Sequence, residues 1–296
     1  MKGTLRSEDW ENALEALRIS VSLIIRREAM DLLQKLEREK RQLQLLRENY
    51  HGAERPGVSL IVPTAKPKYL DNIKANLERI VYPKVEYIVI INSSRIRPEM
   101  FYEKLQGLGE IRFLVLHEGY ALGDCLNYGV DMAKYDYVGK IDDDDYYGTN
   151  YLADLMLAFQ YTNAQVVGKG VHFVYFEANL ALGLRLPIAV PFSPEEGRFY
   201  ENRYTRGPSL AGGTMIIKKE VFNKVKFPPV NLGEDVKFLQ ECTKKNLLIY
   251  AADPFNYVYR RHGDRMDHTW NVNSGFVYQQ AHIIDQSGNF LPMVTV

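Results

Sequence analysis

The stretch Tyr137-Val-Gly-Lys-Ile-Asp-Asp-Asp-Asp-Tyr-Tyr147 decides the fold. Its first half, Tyr137 to Ile141, is a short apolar run that reads as a buried strand. Its second half places four carboxylates directly after that strand. Adjacent like charges repel one another and raise each other's pKa values unless a cation is near. A hard divalent cation relieves this. Mg²⁺ or Mn²⁺ takes one or two carboxylates and completes its shell with water and phosphate oxygens. A bound diphosphate is the natural further ligand. A solvated acidic loop is the alternative, and the position immediately after a strand argues against it.

Outward from this run, strands and helices alternate. Val58 to Val62 reads as a buried strand ending at Pro63-Thr64, Tyr69 to Val81 as a helix, and Val85 to Ile91 as a second strand. Ile111 to Leu116 reads as a third strand and Leu122 to Lys134 as a helix. This alternation implies a parallel sheet with right-handed crossovers. Ligands in such sheets bind beyond the carboxyl ends of the strands. Pro63 to Lys66, Asn92 to Ser94 and Asp142 to Asp145 are therefore expected along one crevice.

The second half reads as a helix over Tyr151 to Tyr161, one or two strands over Gln165 to Phe176, and an irregular segment over residues 178–210. A strand over Thr214 to Ile217, a short helix over Lys219 to Val225, a helix over Glu234 to Lys245, and strands over Leu247 to Ala251 and Tyr257 to Arg260 follow. Residues 5–50 contain no proline and carry Leu32, Leu33, Leu36, Leu43 and Leu46 at helical spacing. Glu54 to Gly57 then reads as a linker. The expected division is a helical appendage over 1–54 and a main domain over 55–296. Within the latter the nucleotide-binding part spans about 58–150 and the acceptor part about 151–270. The appendage is expected to pack on the main domain; self-association into a homo-oligomer and a peripheral membrane helix are the other readings.

Lys+Arg and Asp+Glu are equal at 37 each, which argues against a nucleic-acid partner. Cys125 and Cys242 form no CxxC pair and no disulfide framework, as expected of reduced thiols in a cytoplasmic protein. The polar N-terminus does not read as a signal peptide, and no apolar run has the length of a membrane span. The expected location is the cytoplasm, including the inner membrane surface.

Residues 58 to about 262 resemble the family 2 glycosyltransferases of the GT-A fold. The resemblance rests on five motifs in order: Val58 to Thr64, Glu86 to Ser94, Gly119 to Gly129, Ile141 to Asp145, and Gly212 to Lys218 followed by Gly233-Glu-Asp-Val-Lys237. It implies a Rossmann-like, mostly parallel α/β sheet flanked by helices, with the N-terminal helical appendage added. It also implies an inverting, metal-dependent transfer of a sugar from a nucleotide-diphosphate sugar, UDP-linked by preference, to a carbohydrate or glycoconjugate acceptor. Surface polysaccharide or glycoconjugate synthesis is the expected setting. By the same resemblance Asp144 binds Mn²⁺ or Mg²⁺, and Asp142 and Asp143 face the ribose or donor sugar. Pro63, Thr64, Ala65, Asn92, Ser94, Gly123 and Asn127 serve the nucleotide and donor, and Gly213, Thr214 and Glu234 the acceptor or donor sugar. Asp235 is the general base, a role that makes chemical sense because an attacking hydroxyl must lose its proton. In Tyr259 to Trp270, His262 is assigned to the metal or phosphate, with Arg261 and His268 as second choices. Asn92-Ser93-Ser94 departs from the family's Asp-Asp-Gly-Ser, which weakens the case for uridine.

Two other functions compete. A sugar nucleotidyltransferase shares a nucleotide fold with acidic metal ligands, but the loop Pro63 to Lys68 has no glycine to cradle a triphosphate. A non-catalytic glycan-binding or scaffolding protein is the second, and the intact acidic motifs speak against it.

Overall fold

The computed structural model describes residues 30–185, 202–205, 210–262 and 274–296. The chain divides into two compact units, Met1–Gln42 and Leu43–Val296. In the first, the described residues are helical and bury Leu32 and Leu36, four apart on one face. This helix, α1, covers residues 30–49. Its later residues count with the second unit.

The second unit holds an eight-stranded sheet. Its first four strands are β1 (Val58–Thr64), β2 (Val85–Ile91), β3 (Glu110–Val115) and β4 (Tyr137–Lys140). They lie in the order β3-β2-β1-β4, all parallel. Strand β10 (Ile216–Lys218) runs antiparallel between β4 and β6 (Val166–Lys169). Strand β11 (Ile249–Ala252) lies parallel to β6, and β9 (Arg203–Thr205) closes the edge antiparallel to it.

The near-continuous apolar strands are explained by burial on both faces. Leu60, Val62, Tyr87, Val89 and Ile91 face one core, shared with α2 (Leu70–Arg79), α3 (Pro98–Leu105) and α5 (Tyr151–Tyr161). Their neighbours Ile61, Ile88 and Ile90 face the other, shared with α4 (Leu122–Met132) and α6 (Glu234–Lys244). Successive strand residues thus alternate between the two cores.

A second sheet of five strands runs β13-β8-β7-β12-β5. It comprises β5 (Tyr146–Tyr147), β7 (His172–Phe176), β8 (Ala181–Arg185), β12 (Tyr257–Arg261) and β13 (Ala281–Asp285). Helices α7 (Ser274–Gln279) and α8 (Leu291–Val294) complete the chain. The segment read as irregular over 178–210 therefore contains β8 and β9. Strand β8 is stabilised by antiparallel partners on both sides, β7 and β13, the latter about 100 residues away. The turn Gly212–Thr214 is 3₁₀, so strand β10 starts later than Thr214. Lys219–Asn223 is also 3₁₀. Residues 1–29, which include most of the expected N-terminal helix, and His268 lie outside the described residues.

Candidate functional site

Strand order reverses at β1, with β2 on one side and β4 on the other. In an open α/β sheet this reversal opens a crevice beyond the strand ends. A cavity of about 880 Å³ lies here. Its lining draws on the ends of β1, β2 and β4, on Gly212-Gly213, on the start of α6, and on His172, Arg185, Tyr257 and Tyr259 of the second sheet.

The four aspartates are held differently. Asp143 accepts the Thr64 hydroxyl at 2.7 Å, and its carbonyl accepts the Asn72 amide at 2.8 Å. Asp145 is fully buried and accepts the Tyr257 hydroxyl at 2.6 Å and the Arg260 backbone N–H at 3.0 Å. Its carbonyl takes the amides of Asn72 and Asn76 at 2.9 and 2.8 Å. The backbone N–H of Asp142 donates to the Tyr147 hydroxyl at 2.7 Å, and that hydroxyl donates to the Gly213 carbonyl at 2.8 Å. Two asparagines one helical turn apart on α2 thus fix the main chain of the run. Asp145 ties it to the second sheet.

Crowding shows in the protonation behaviour. Burial, then the charge of Asp144, pushes Asp143 well above the usual carboxylate range, against the pull of Thr64 and Lys66. Burial and Asp142 raise Asp144 to about 6, with His262 and Lys66 partly offsetting them. Burial and the neighbouring aspartates also raise Asp145.

Lys140, the last residue of β4, is buried with its Nζ 3.2 Å from Asp142 Oδ1 and 2.9 Å from Glu234 Oε1. Burial disfavours its charge, but Asp142, Glu234 and Asp235 more than offset this and shift it upward. Glu234 and Asp235 open α6 directly after Gly233, whose φ of 74° is a left-handed conformation that glycine adopts without strain. Asp235 Oδ1 accepts the Val236 backbone N–H at 2.7 Å. Its other oxygen lies against the Cα of Gly212, where a Cβ would collide with it. Asp142 lies in the same way against Gly213. The two glycines form a bare ledge that seats one carboxylate on each residue.

Beyond β2, the Asn92 amide donates to the His117 carbonyl at 2.7 Å, which turns the Asn92 side-chain oxygen away from that carbonyl. Ser94 holds Glu118 through its backbone N–H at 3.2 Å and through its hydroxyl.

Of the residues singled out in the sequence, Pro63, Thr64, Ala65, Asn92, Asp142, Asp143, Asp144, Gly213, Glu234 and Asp235 line one cavity. Ser94, Gly123, Asn127, Thr214, Arg261 and His262 are not among the residues that line it. Gly123 packs against the Pro228 carbonyl. Asn127 uses both ends of its amide on the backbone of Phe227, at 2.8 and 3.1 Å. The Thr214 hydroxyl donates to Ala211 and accepts from the Lys169 N–H. Arg261 is buried and donates to the Tyr259 hydroxyl at 2.9 Å. His262 places Nδ1 3.0 Å from Glu177 Oε2. Sequence reasoning passed over Lys140, Asn72, Asn76 and His172. A lysine inside an apolar strand next to acids, and two asparagines at i and i+4, were the available signals.

The sequence profile of glycosyl transferase family 2 matches residues 59–226. The match ends before Asp235, Tyr257 and Tyr259. A comparison with curated proteins finds no match. Among solved structures, the chain is similar to S. aureus TarS 1–349 in complex with UDP-GlcNAc, at 16% identity and a TM-score of 0.53, over 73% of this chain and 61% of that one. It is also similar to the same TarS fragment in complex with UDP, at 18% identity and a TM-score of 0.51 over 69% and 60% of the two chains. The chain thus spans about 60% of the length of the TarS fragment it matches. At this identity the likeness speaks for the fold, a GT-A-type α/β architecture. With the profile matched over more than half its length, the chain belongs to glycosyl transferase family 2.

Proposed function

We propose that the protein is an inverting glycosyltransferase that moves a sugar from a nucleotide-diphosphate sugar to an acceptor hydroxyl. The observation that carries this reading is the ledge: Asp142 and Asp235 sit on consecutive glycines, between the strand-end crevice and the start of α6. In this reading Asp235 accepts the proton of the acceptor hydroxyl as its oxygen attacks the anomeric carbon. The bond to the diphosphate breaks on the opposite face, which inverts the configuration. Thr64, Ala65 and Asn92 serve the nucleoside, and Asp142 and Asp143 the ribose and donor sugar. With its amide N–H given to the His117 carbonyl, Asn92 keeps its side-chain oxygen as an acceptor suited to the ring N–H of uracil, which supports a UDP-linked donor.

Among the described residues no three His, Cys, Asp or Glu side chains converge to hold a metal ion. The donor set nevertheless suits Mg²⁺ or Mn²⁺, which need few protein ligands when phosphate supplies the rest. Asp144, raised by burial and by Asp142, is the carboxylate a cation would recharge. A His262 that donates from Nδ1 to Glu177 presents Nε2 as its lone-pair nitrogen. The cation would neutralise the leaving diphosphate. Two buried thiols, Cys125 pushed up to about 11 and Cys242 to about 12 by burial, support a reducing, cytoplasmic setting.

The test is a donor screen with Mn²⁺ and Mg²⁺ that measures nucleotide diphosphate release, paired with Asp235→Asn. Loss of a general base costs about 10²–10⁴-fold in turnover. The variant is expected to lose turnover by that factor while binding UDP and Mn²⁺ with unchanged affinity. Near-normal turnover would remove Asp235 from its role.

A further inference from the structure

We infer that Lys140 is a positioning residue that couples the donor carboxylate Asp142 to the acceptor-side pair Glu234-Asp235. This rests on the transferase reading above. Lys140 belongs to the strand that delivers the aspartate run, and Glu234 to the helix that carries Asp235, 94 residues later in the chain. Its ammonium lies between them, at 3.2 Å from Asp142 and 2.9 Å from Glu234. The side chains of Lys140 and Glu234 are 7% and 6% exposed, while that of Asp142 is 31% exposed and opens on the cavity. Solvent therefore screens this bridge little, and its cation cannot be replaced by bulk water.

Two carboxylates pair with this one cation, and the charge of Asp235 also favours it. Without the cation, Asp142 and Glu234 would face each other across the ledge with nothing to hold them together. Their repulsion would move the start of α6, and Asp235 with it, relative to Asp142. A misplacement of about 1 Å at a reacting group is enough to cost about 10²-fold in rate. Gly212 and Gly213 bring the two carboxylates close; Lys140 keeps them there. Lys140 pairs with Asp142 and Glu234, whereas the nucleoside end of the cavity is formed by Thr64, Ala65 and Asn92, with Thr64 bonded to Asp143; UDP affinity should therefore change less than turnover.

The experiment compares Lys140→Met, Lys140→Arg and wild type, using the donor found in the screen, with UDP and Mn²⁺ titrated by calorimetry. The expected result for Lys140→Met is a turnover at least about 10²-fold lower, with UDP affinity within threefold of wild type. Lys140→Arg, which keeps a cation between the same carboxylates, should recover at least tenfold of the loss. A residue that merely supports the fold would lower UDP affinity and melting temperature together with turnover, and that pattern overturns the inference. So does a Lys140→Met enzyme with turnover within threefold of wild type. If Lys140→Met does not fold, Glu234→Gln removes the other end of the bridge at equal volume. It should show the same split between turnover and UDP affinity, and unchanged turnover overturns the inference. A wild-type protein that neither binds UDP with Mn²⁺ nor releases nucleotide from any donor overturns the transferase reading instead.

Discussion

Gly213 has no Cβ because two groups occupy its place. An added methyl carbon would stand 2.5 Å from Asp142 Oδ2 and 2.9 Å from the Tyr147 hydroxyl. Gly213→Ala is expected to lower turnover at least tenfold through displacement of Asp142, with a stability cost of about 1–3 kcal/mol typical of overpacking. Steady-state kinetics and a thermal melt on the same preparation check both. His172 offers a pH test. It is buried, and burial, aided by Arg185, lowers its pKa to about 3 from an ordinary 6.5. Between those values the unfolded chain binds a proton that the folded chain does not. Its contribution is therefore complete above pH 6.5 and falls as pH drops toward 3, by about 1.4 kcal/mol per unit at most. Urea unfolding at pH 7 and pH 5 should show this slope in the wild type and a flatter one in His172→Gln. Equal slopes would mean that His172 does not titrate in this window. The acidic run was legible in the sequence because charge after a strand is conspicuous. The bare ledge was not, since only coordinates show which groups fill the space at Gly212 and Gly213.

At the scale of elements, α4 and the segment before α6 are joined by side chain and backbone. Asn127 holds Phe227 by both ends of its amide, Leu122 N–H donates to Asn231 at 2.8 Å, and Gly123 N–H donates to Val230 at 3.2 Å. Asn127→Ala leaves a buried backbone pair unsatisfied and should cost about 1–3 kcal/mol. It should also loosen the approach to α6, so turnover is expected to fall more than UDP affinity. Unchanged stability in a denaturant titration would show that the segment is held elsewhere. The parallel strands were readable because β1 to β4 are apolar runs set apart by helices of ordinary length. Strands β8 and β13 were not readable. Ala181-Leu-Gly-Leu-Arg185 contains glycine and alanine and lacks a clear alternation, and its strand character comes from distant partners. Gly123 and Asn127 match a family motif, yet in this chain they serve packing and tethering, which spacing alone does not distinguish from ligand contact.

For the whole molecule, the choice of where a shortened chain begins has a measurable effect. Arg47 pairs with Asp154 through two bonds of 2.8 Å, and Asp154, 1% exposed, also accepts the Asn256 amide at 2.9 Å. A chain beginning at Leu43 keeps this pair, and one beginning at Arg55 loses it. Removing one partner of a buried pair costs about 3–5 kcal/mol. Burial already raises Asp154 to about 6, so it can take up a proton instead of staying charged, which places the cost at the low end. Chemical denaturation of the two chains side by side checks this; equal midpoints would show that Arg47 contributes nothing. Among the described residues no helix is long and apolar enough to cross a membrane.

The chain as a whole is neutral, yet once the aspartate run is ionised, seven carboxylates share the cavity lining with four lysines or arginines. Low-dielectric walls focus such a local surplus. A diphosphate arriving alone would meet a field of its own sign, whereas one that has already paired with a dication would meet little opposition. Capture should then favour the paired species, most sharply in dilute buffer, where a charge is felt over about 30 Å at 0.01 M salt, and least at 1 M, where it is felt within about 3 Å. The cavity would sort arrivals by net charge before any part of it reads their shape.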